Sequence, residues 1–236
     1  MREKPAATAP APTSLTRRQL GFVGLGFQGT QIARRYLENG ELLVYDLRAQ
    51  AMERLAKEGA LLADDVAALG RRCNLIGICV VNDDQLATVA LGSEGLLENT
   101  SAGSILVIHA TVSPDLVLDL ASAASRRGVL IVDAPVSGGK VAGQPMTFMV
   151  GGDPDAIAQC LPLLGSVGEN VTLTGTTGTA AAAKLAHQII LCGNLLAAKE
   201  GMEFAQTYGI PADVIKQITR LGTAQSKVVD RWLGPV

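Results

Sequence analysis

The chain has 236 residues, 26 of them glycine, with 48% hydrophobic residues and a formal net charge of −2, the profile of a folded globular protein. No Lys/Arg cluster stands out and only 3% of the residues are aromatic, so the chain lacks the basic surface and stacking platform that nucleic-acid binding needs. The cysteines Cys73, Cys79, Cys160 and Cys192 show no CxxC spacing and lie mostly in apolar segments, so they read as reduced core residues of a cytoplasmic protein.

Residues 1–18, rich in Ala, Pro and Thr and without the apolar core of a secretory signal, read as a disordered tail. From Gln19 the pattern alternates. "QLGFVG" predicts a strand, Gln28 to Asn39 a helix, "ELLVYD" a second strand and Ala49 to Glu58 a second helix. "LIGICVV" and "SILVIHA" are apolar strands, "SPDLVLDLASAASRRG" is a capped helix with a glycine stop, and "VLIVDAPV" is one further strand. Near-continuous apolar strands separated by helices predict the α/β class: a Rossmann-type, doubly wound parallel sheet covered on both faces.

Beyond Ser137 the order is "MTFMVGG" as a strand, Pro154 to Leu164 as a helix and "VTLTG" as a last strand. A long helix from Thr179 to about Tyr208 follows, and then "PADVIKQITRLG", with Pro in its first turn and Gly at its end. The expected organisation is a dinucleotide-binding domain at 19–178 and a short all-α C-terminal domain at 179–236. The latter is too small to enclose its own core, so it should rest on the sheet and on a second subunit. The longest apolar stretch, residues 189–198, is interrupted by Gly193 and Asn194 and is too short to span a bilayer, so no membrane partner is expected.

The first chemical signal is the loop Gly24-Leu25-Gly26-Phe27-Gln28-Gly29, a GxGxxG between a strand and a helix. The first glycine permits a tight turn, the second lets a pyrophosphate approach, the third lets helix and strand pack, and the helix N-terminus attracts the phosphates. Asp46 ends the next strand, where a carboxylate can take both ribose hydroxyls of an adenosine. It favours NAD over NADP, because a 2′-phosphate would meet a like charge, although Arg48 nearby partly offsets this and leaves NADP possible.

The dinucleotide loop, "DAPVSGGKVAGQPMTFMVGG" and the glycine pair leading into "KLAHQ" together resemble the β-hydroxyacid dehydrogenases over roughly residues 20–235. The resemblance implies that Ser137, Gly138 and Gly139 bind a substrate carboxylate and hydroxyl, that Lys184 is the general acid/base, and that Gln188 helps hold the substrate. It also implies cofactor contacts at Val81, Asn82 and Thr111, and a homodimer or higher homo-oligomer. "VVN" combined with "KLAHQ" is most similar to the L-threonate dehydrogenase branch, which implies a short hydroxy acid such as L-threonate, glycerate or 3-hydroxyisobutyrate as substrate. Gln28 stands where the family usually has Met and Ala110 where it often has Ser. The family also usually continues some way past "RWLGPV", so a truncated, non-catalytic member that binds NAD or a partner subunit is the alternative. Imine reductases on the same scaffold usually replace the lysine present here at 184.

The chemistry asks something definite of that lysine. Thr177 or Thr179 can cap its helix, and Lys184 and Gln188, four apart, project from one face. To take a hydroxyl proton Lys184 must be neutral, so burial and the positive end of the helix dipole have to lower its pKa. His187 reads equally as a site residue or a satisfied core histidine, and so does His109. Neither has a second His or Cys spaced for a metal. Asp133 reads as a structural carboxylate at a strand end.

Overall fold

Short aliphatic runs become the strands of one sheet because both of their faces find a hydrophobic cover. The computed structural model describes residues 19–139, 144–227 and 230. Among these the chain forms β1 (Leu20–Val23), α1 (Phe27–Glu38), β2 (Leu42–Tyr45), α2 (Ala49–Ala56), β3 (Leu61–Leu62), α3 (Val66–Arg72) and β4 (Leu75–Ile78). It continues with α4 (Asp83–Leu91), α5 (Leu96–Asn99), β5 (Ile105–Ile108), α6 (Pro114–Ser125), β6 (Leu130–Asp133) and β7 (Val136–Gly139). The remainder is β8 (Gln144–Gly152), α7 (Pro154–Val167), β9 (Asn170–Gly175), α8 (Thr179–Thr207) and α9 (Ala212–Leu221).

The sheet order is β3-β2-β1-β4-β5-β6-β8-β7, with β9 paired to β8. The first six strands are parallel, in the order of a dinucleotide-binding fold. β8 then runs antiparallel to both β6 and β7. Alternate side chains divide between two cores. Phe22, Ile105 and Val107 join Ile32 and Tyr36 of α1 and Leu164 of α7 on one face. Val23, Leu106 and Ile108 join Leu69 of α3 and Leu120 of α6 on the other. Fully burying one such side chain contributes about 1.5–3 kcal/mol, and the period-2 alternation delivers it to both faces at once.

The course of the chain departs from the sequence expectations at several points. The run "VLIVDAPV" is two strands, because the chain leaves the parallel ladder at Ala134-Pro135 and returns as β7 on the far side of β8. Pro has no N–H to continue a ladder, so a break there follows from its chemistry. The helices α3, α4 and α5 and the two-residue β3 carried too few periodic apolar positions to announce themselves. Cys192, expected to pack in a core, is exposed on α8.

α8 begins against β8, β6 and α6, then runs out along the protein. Its buried residues are Ala180, Ala181 and Lys184 at the start and Ala205 near the end. Ile189, Ile190, Leu196 and Phe204 remain 58–74% exposed. By length and composition alone α8 is apolar enough to cross a membrane, unlike the 189–198 stretch considered by itself. Its first two turns, however, belong to the sheet's packing.

Candidate active site at the carboxyl edge of the sheet

β1, β2, β4, β5 and β6 all point their carboxyl ends to one edge, and chain connections diverge on either side of β1, where a doubly wound sheet opens a crevice. Gly24 has φ +91°, and a Cβ on it would meet the Cys79 carbonyl oxygen at 2.4 Å; a Cβ on Gly29 would meet the Gly24 carbonyl oxygen at 2.0 Å. These two glycines seat the turn and α1 against β4. A Cβ on Gly26 would meet nothing within 4 Å. Gly26 is also the N-cap of α1, with no side chain capping the helix and no acidic residue in its first turn. The free N–H groups of that turn are therefore left for an anion, as a dinucleotide's diphosphate requires.

Asp46 stands beside this loop. Its carboxylate accepts from the Leu25 N–H at 2.6 Å, from the Arg48 N–H at 2.9 Å and from the Arg48 guanidinium at 3.0 and 3.2 Å. Burial pushes its pKa up, but the Arg48 and Leu25 hydrogen bonds outweigh burial and hold it below the usual carboxylate range. Asp46 is thus ionised at neutral pH. Around the same edge Phe27, Leu47 and Val81 expose 65%, 87% and 81% of their surface, leaving apolar area at the start of α1 and on two loops for flat rings to cover. These features fit a dinucleotide.

The next loops carry added duties. Asn82 Oδ1 accepts from the Gln85 N–H at 3.0 Å and caps α4, while the Gln85 carboxamide oxygen accepts from the Val81 N–H at 3.0 Å. Asp83, which the sequence reading passed over, accepts from the Ser113 N–H at 3.1 and 3.3 Å and so ties the β4 loop to the β5 loop. Thr111 is exposed on the latter.

Ser137, Gly138 and Gly139 lie in the short strand β7, with φ of +89° at Gly138 and +109° at Gly139, a region that suits glycine. Ser137 Oγ is 3.4 Å from His187 Nε2, so β7 touches α8, and His187 Nδ1 is 3.4 Å from Gln188 Oε1. Lys184, one turn earlier on α8, is only 7% exposed. Its side chain has no hydrogen bond or ion pair among the described residues, and burial lowers its pKa. Gln188 is half-buried. His187, which sequence left undecided, stands against Ser137.

The start of α8 is not capped by Thr177 or Thr179. The Thr179 hydroxyl is engaged with the Thr176 carbonyl at 2.6 Å and Thr174 Oγ1 at 2.8 Å, and the N-cap is Gly178 at φ +87°. Asp133 supplies the cap from the end of β6: its Oδ1 accepts from the Gly178 N–H and its Oδ2 from the Ala181 N–H, each at 2.9 Å. Burial raises the Asp133 pKa against the pull of these N–H groups. Because the cap lies 45 residues away along the chain, no local sequence pattern announces it.

His109 resolves as a core residue. Its Nδ1 donates to the Ala134 carbonyl at 2.9 Å, so its Nε2, 2.9 Å from the Tyr36 hydroxyl, accepts from it. Burial pushes its pKa down to about 4. Gln28, in the first turn of α1, has a buried Nε2 with no hydrogen-bond partner among the described residues. A buried donor left so costs about 1–3 kcal/mol.

Comparison with known proteins agrees with this geometry. A family described as the NAD-binding domain of 6-phosphogluconate dehydrogenase matches residues 19–175. An uncharacterised Bacillus subtilis oxidoreductase, YkwC, is 32% identical over 207 residues, covering 86% of this chain and 72% of that protein. Human mitochondrial 3-hydroxyisobutyrate dehydrogenase is 28% identical over 213 residues, 89% of this chain but only 63% of the human enzyme's length. The crystal structure of 3-hydroxyisobutyrate dehydrogenase from Salmonella typhimurium superposes with a TM-score of 0.79 at 31% identity, over 92% of this chain and 77% of that one.

Proposed function

The chain belongs to the β-hydroxyacid dehydrogenase family and carries an NAD(P)-binding domain, and from that premise we propose that it oxidises the alcohol of a short hydroxy acid. The preferred substrate in this reading is a four-carbon polyol acid such as L-threonate, with glycerate and 3-hydroxyisobutyrate as weaker ones. One observation carries the proposal: a lysine that is 7% exposed, lacks a counter-ion among the described residues, and shares a helix with His187, which meets Ser137.

Bound NAD supplies the hydride acceptor. The residues of the chain do the rest. Ser137, with the N–H groups of Gly138 and Gly139, holds the substrate carboxylate, and Gln188 orients the reacting hydroxyl. Neutral Lys184 takes the hydroxyl proton as the carbinol hydrogen departs as hydride; in reduction, its ammonium form returns that proton. A lysine at its ordinary pKa, about 10.4, is almost wholly protonated at neutral pH, so the lowering by burial serves the oxidative direction. Ionised Asp46 supports NAD over NADP, because it would repel a 2′-phosphate while accepting from ribose hydroxyls.

The exposed apolar face of α8 favours a homodimer or higher homo-oligomer in which a second copy covers it, and the likeness to a bacterial oxidoreductase favours a soluble, cytoplasmic protein. The same face favours a second reading, a protein that binds NAD or a partner without turnover. One assay separates the two readings. Purified protein is given NAD or NADP with a panel of short hydroxy acids at alkaline pH, beside a Lys184→Ala control. Turnover lost in the control supports the dehydrogenase; cofactor binding with no turnover on any acid supports the second reading.

A further inference from the structure

Gln28 leaves a question that the cofactor loop does not absorb. Its position in the first turn of α1 would be served by any side chain of similar size, since the glycine loop works through its backbone. Yet the side chain is an amide, and its Nε2 is buried with no hydrogen-bond partner among the described residues. The amide lies against β7. The point where a Cβ on Gly139 would stand is 3.4 Å from Gln28 Nε2, 3.4 Å from Gln31 Oε1 and 3.7 Å from Gln28 Oε1, ordinary contact distances, so the amide is a direct neighbour of this strand. A primary amide has two N–H donors and an accepting oxygen, and a buried amide nitrogen without a partner is out of place unless something else comes to meet it.

What surrounds the amide indicates what that something is. Two residues before Gly139, on the same strand, is Ser137, whose hydroxyl meets His187 Nε2 at 3.4 Å, and His187 in turn meets Gln188 Oε1 at 3.4 Å. Strand β7 is therefore bordered by hydrogen-bonding side chains from two helices, Gln28 from α1 and His187 with Gln188 from α8. An amide donates and accepts at once, as an alcohol hydroxyl does, so the two are complementary. A methyl group at the same place would leave the amide unsatisfied.

We propose that Gln28 is a specificity-determining residue whose carboxamide hydrogen-bonds a second, non-reacting hydroxyl of the substrate, so that the site selects short polyhydroxylated acids over acids bearing a methyl group there. The inference rests on the reading that β7 anchors the substrate carboxylate. A site that hydrogen-bonds a substrate hydroxyl discriminates strongly against the analogue lacking it, because its own polar group is then left unpaired.

The test is calorimetric binding of L-threonate and of 3-hydroxyisobutyrate to protein saturated with NADH, where no hydride can pass to the cofactor, for the wild type, Gln28→Met and Gln28→Leu. Wild type should bind L-threonate about tenfold or more tightly than 3-hydroxyisobutyrate, and both substitutions should shrink that ratio at least about fivefold. Equal binding of the two acids by the wild type overturns the inference. So does a substitution that weakens NADH while leaving the ratio of the acids intact, which would give the amide to the cofactor. Ser137→Ala tests the premise separately. If it leaves both acids bound as before, the anchoring role of β7 fails; if it weakens both while Gln28→Met leaves the ratio unchanged, only the role of Gln28 fails.

Discussion

At the scale of single residues, the chemistry depends on what burial does to ionisable groups. Lys184 is buried and its pKa lowered, so the fraction of neutral amine grows as pH rises and saturates earlier than for a free lysine. The oxidative kcat/KM is therefore expected to climb with pH and level off below pH 10.5, and Lys184→Ala should lower kcat by about a hundredfold to ten-thousandfold. A pH–rate profile of both proteins checks this. Asp46→Ala should narrow the preference for NAD over NADP, read as the ratio of the two kcat/KM values. His109 makes an opposite kind of prediction. It is held neutral in the core, with a pKa near 4 in place of 6.5. Between those values the unfolded chain binds a proton that the folded chain refuses, so stability is lost as pH falls, by about 2 kcal/mol at pH 5. Denaturant melts at pH 7 and pH 5 measure that loss, and His109→Gln should flatten it.

At the scale of elements, α8 is held by a residue that does not belong to it. Asp133 donates no packing volume of note; its carboxylate satisfies the N–H groups of Gly178 and Ala181 at the amino end of the helix that carries Lys184, His187 and Gln188. Asp133→Ala should cost about 3 kcal/mol, since two buried charge-assisted bonds vanish, and chemical denaturation will show it. Turnover should fall as well, because the helix that aims the lysine loses its fixed origin. Most elements were legible in the sequence. Long runs such as "SILVIHA" and the 29-residue helix α8 carry their own periodicity. The short ones were not: α3 depends on an Asp65 cap and α4 on an Asn82 cap, and neither has a long apolar stripe to advertise it.

At the scale of the whole molecule, the exposed side of α8 is the feature that most calls for a partner. Ile189 and Ile190 are 74% and 64% exposed, an arrangement that costs solubility unless covered. Light scattering should find a dimer or larger oligomer, and a double substitution, Ile189→Glu with Ile190→Glu, should shift it toward monomer without unfolding the sheet. A wild-type protein that runs as a monomer at all concentrations would remove the second copy from this face.

The class of fold and the dinucleotide-binding character were legible along the chain, because strand alternation and a glycine turn followed by Asp46 are local patterns; the lysine four residues before Gln188 is likewise local and marks a candidate for the chemistry. Only the tertiary structure decided that Asp133 caps α8, that His187 faces Ser137 while His109 bonds Tyr36, and that the amide of Gln28 lies buried beside Gly139. Each of those facts joins residues that are distant in sequence. Such contacts arise from the crossovers of the sheet, which bring together chain ends that no periodicity connects.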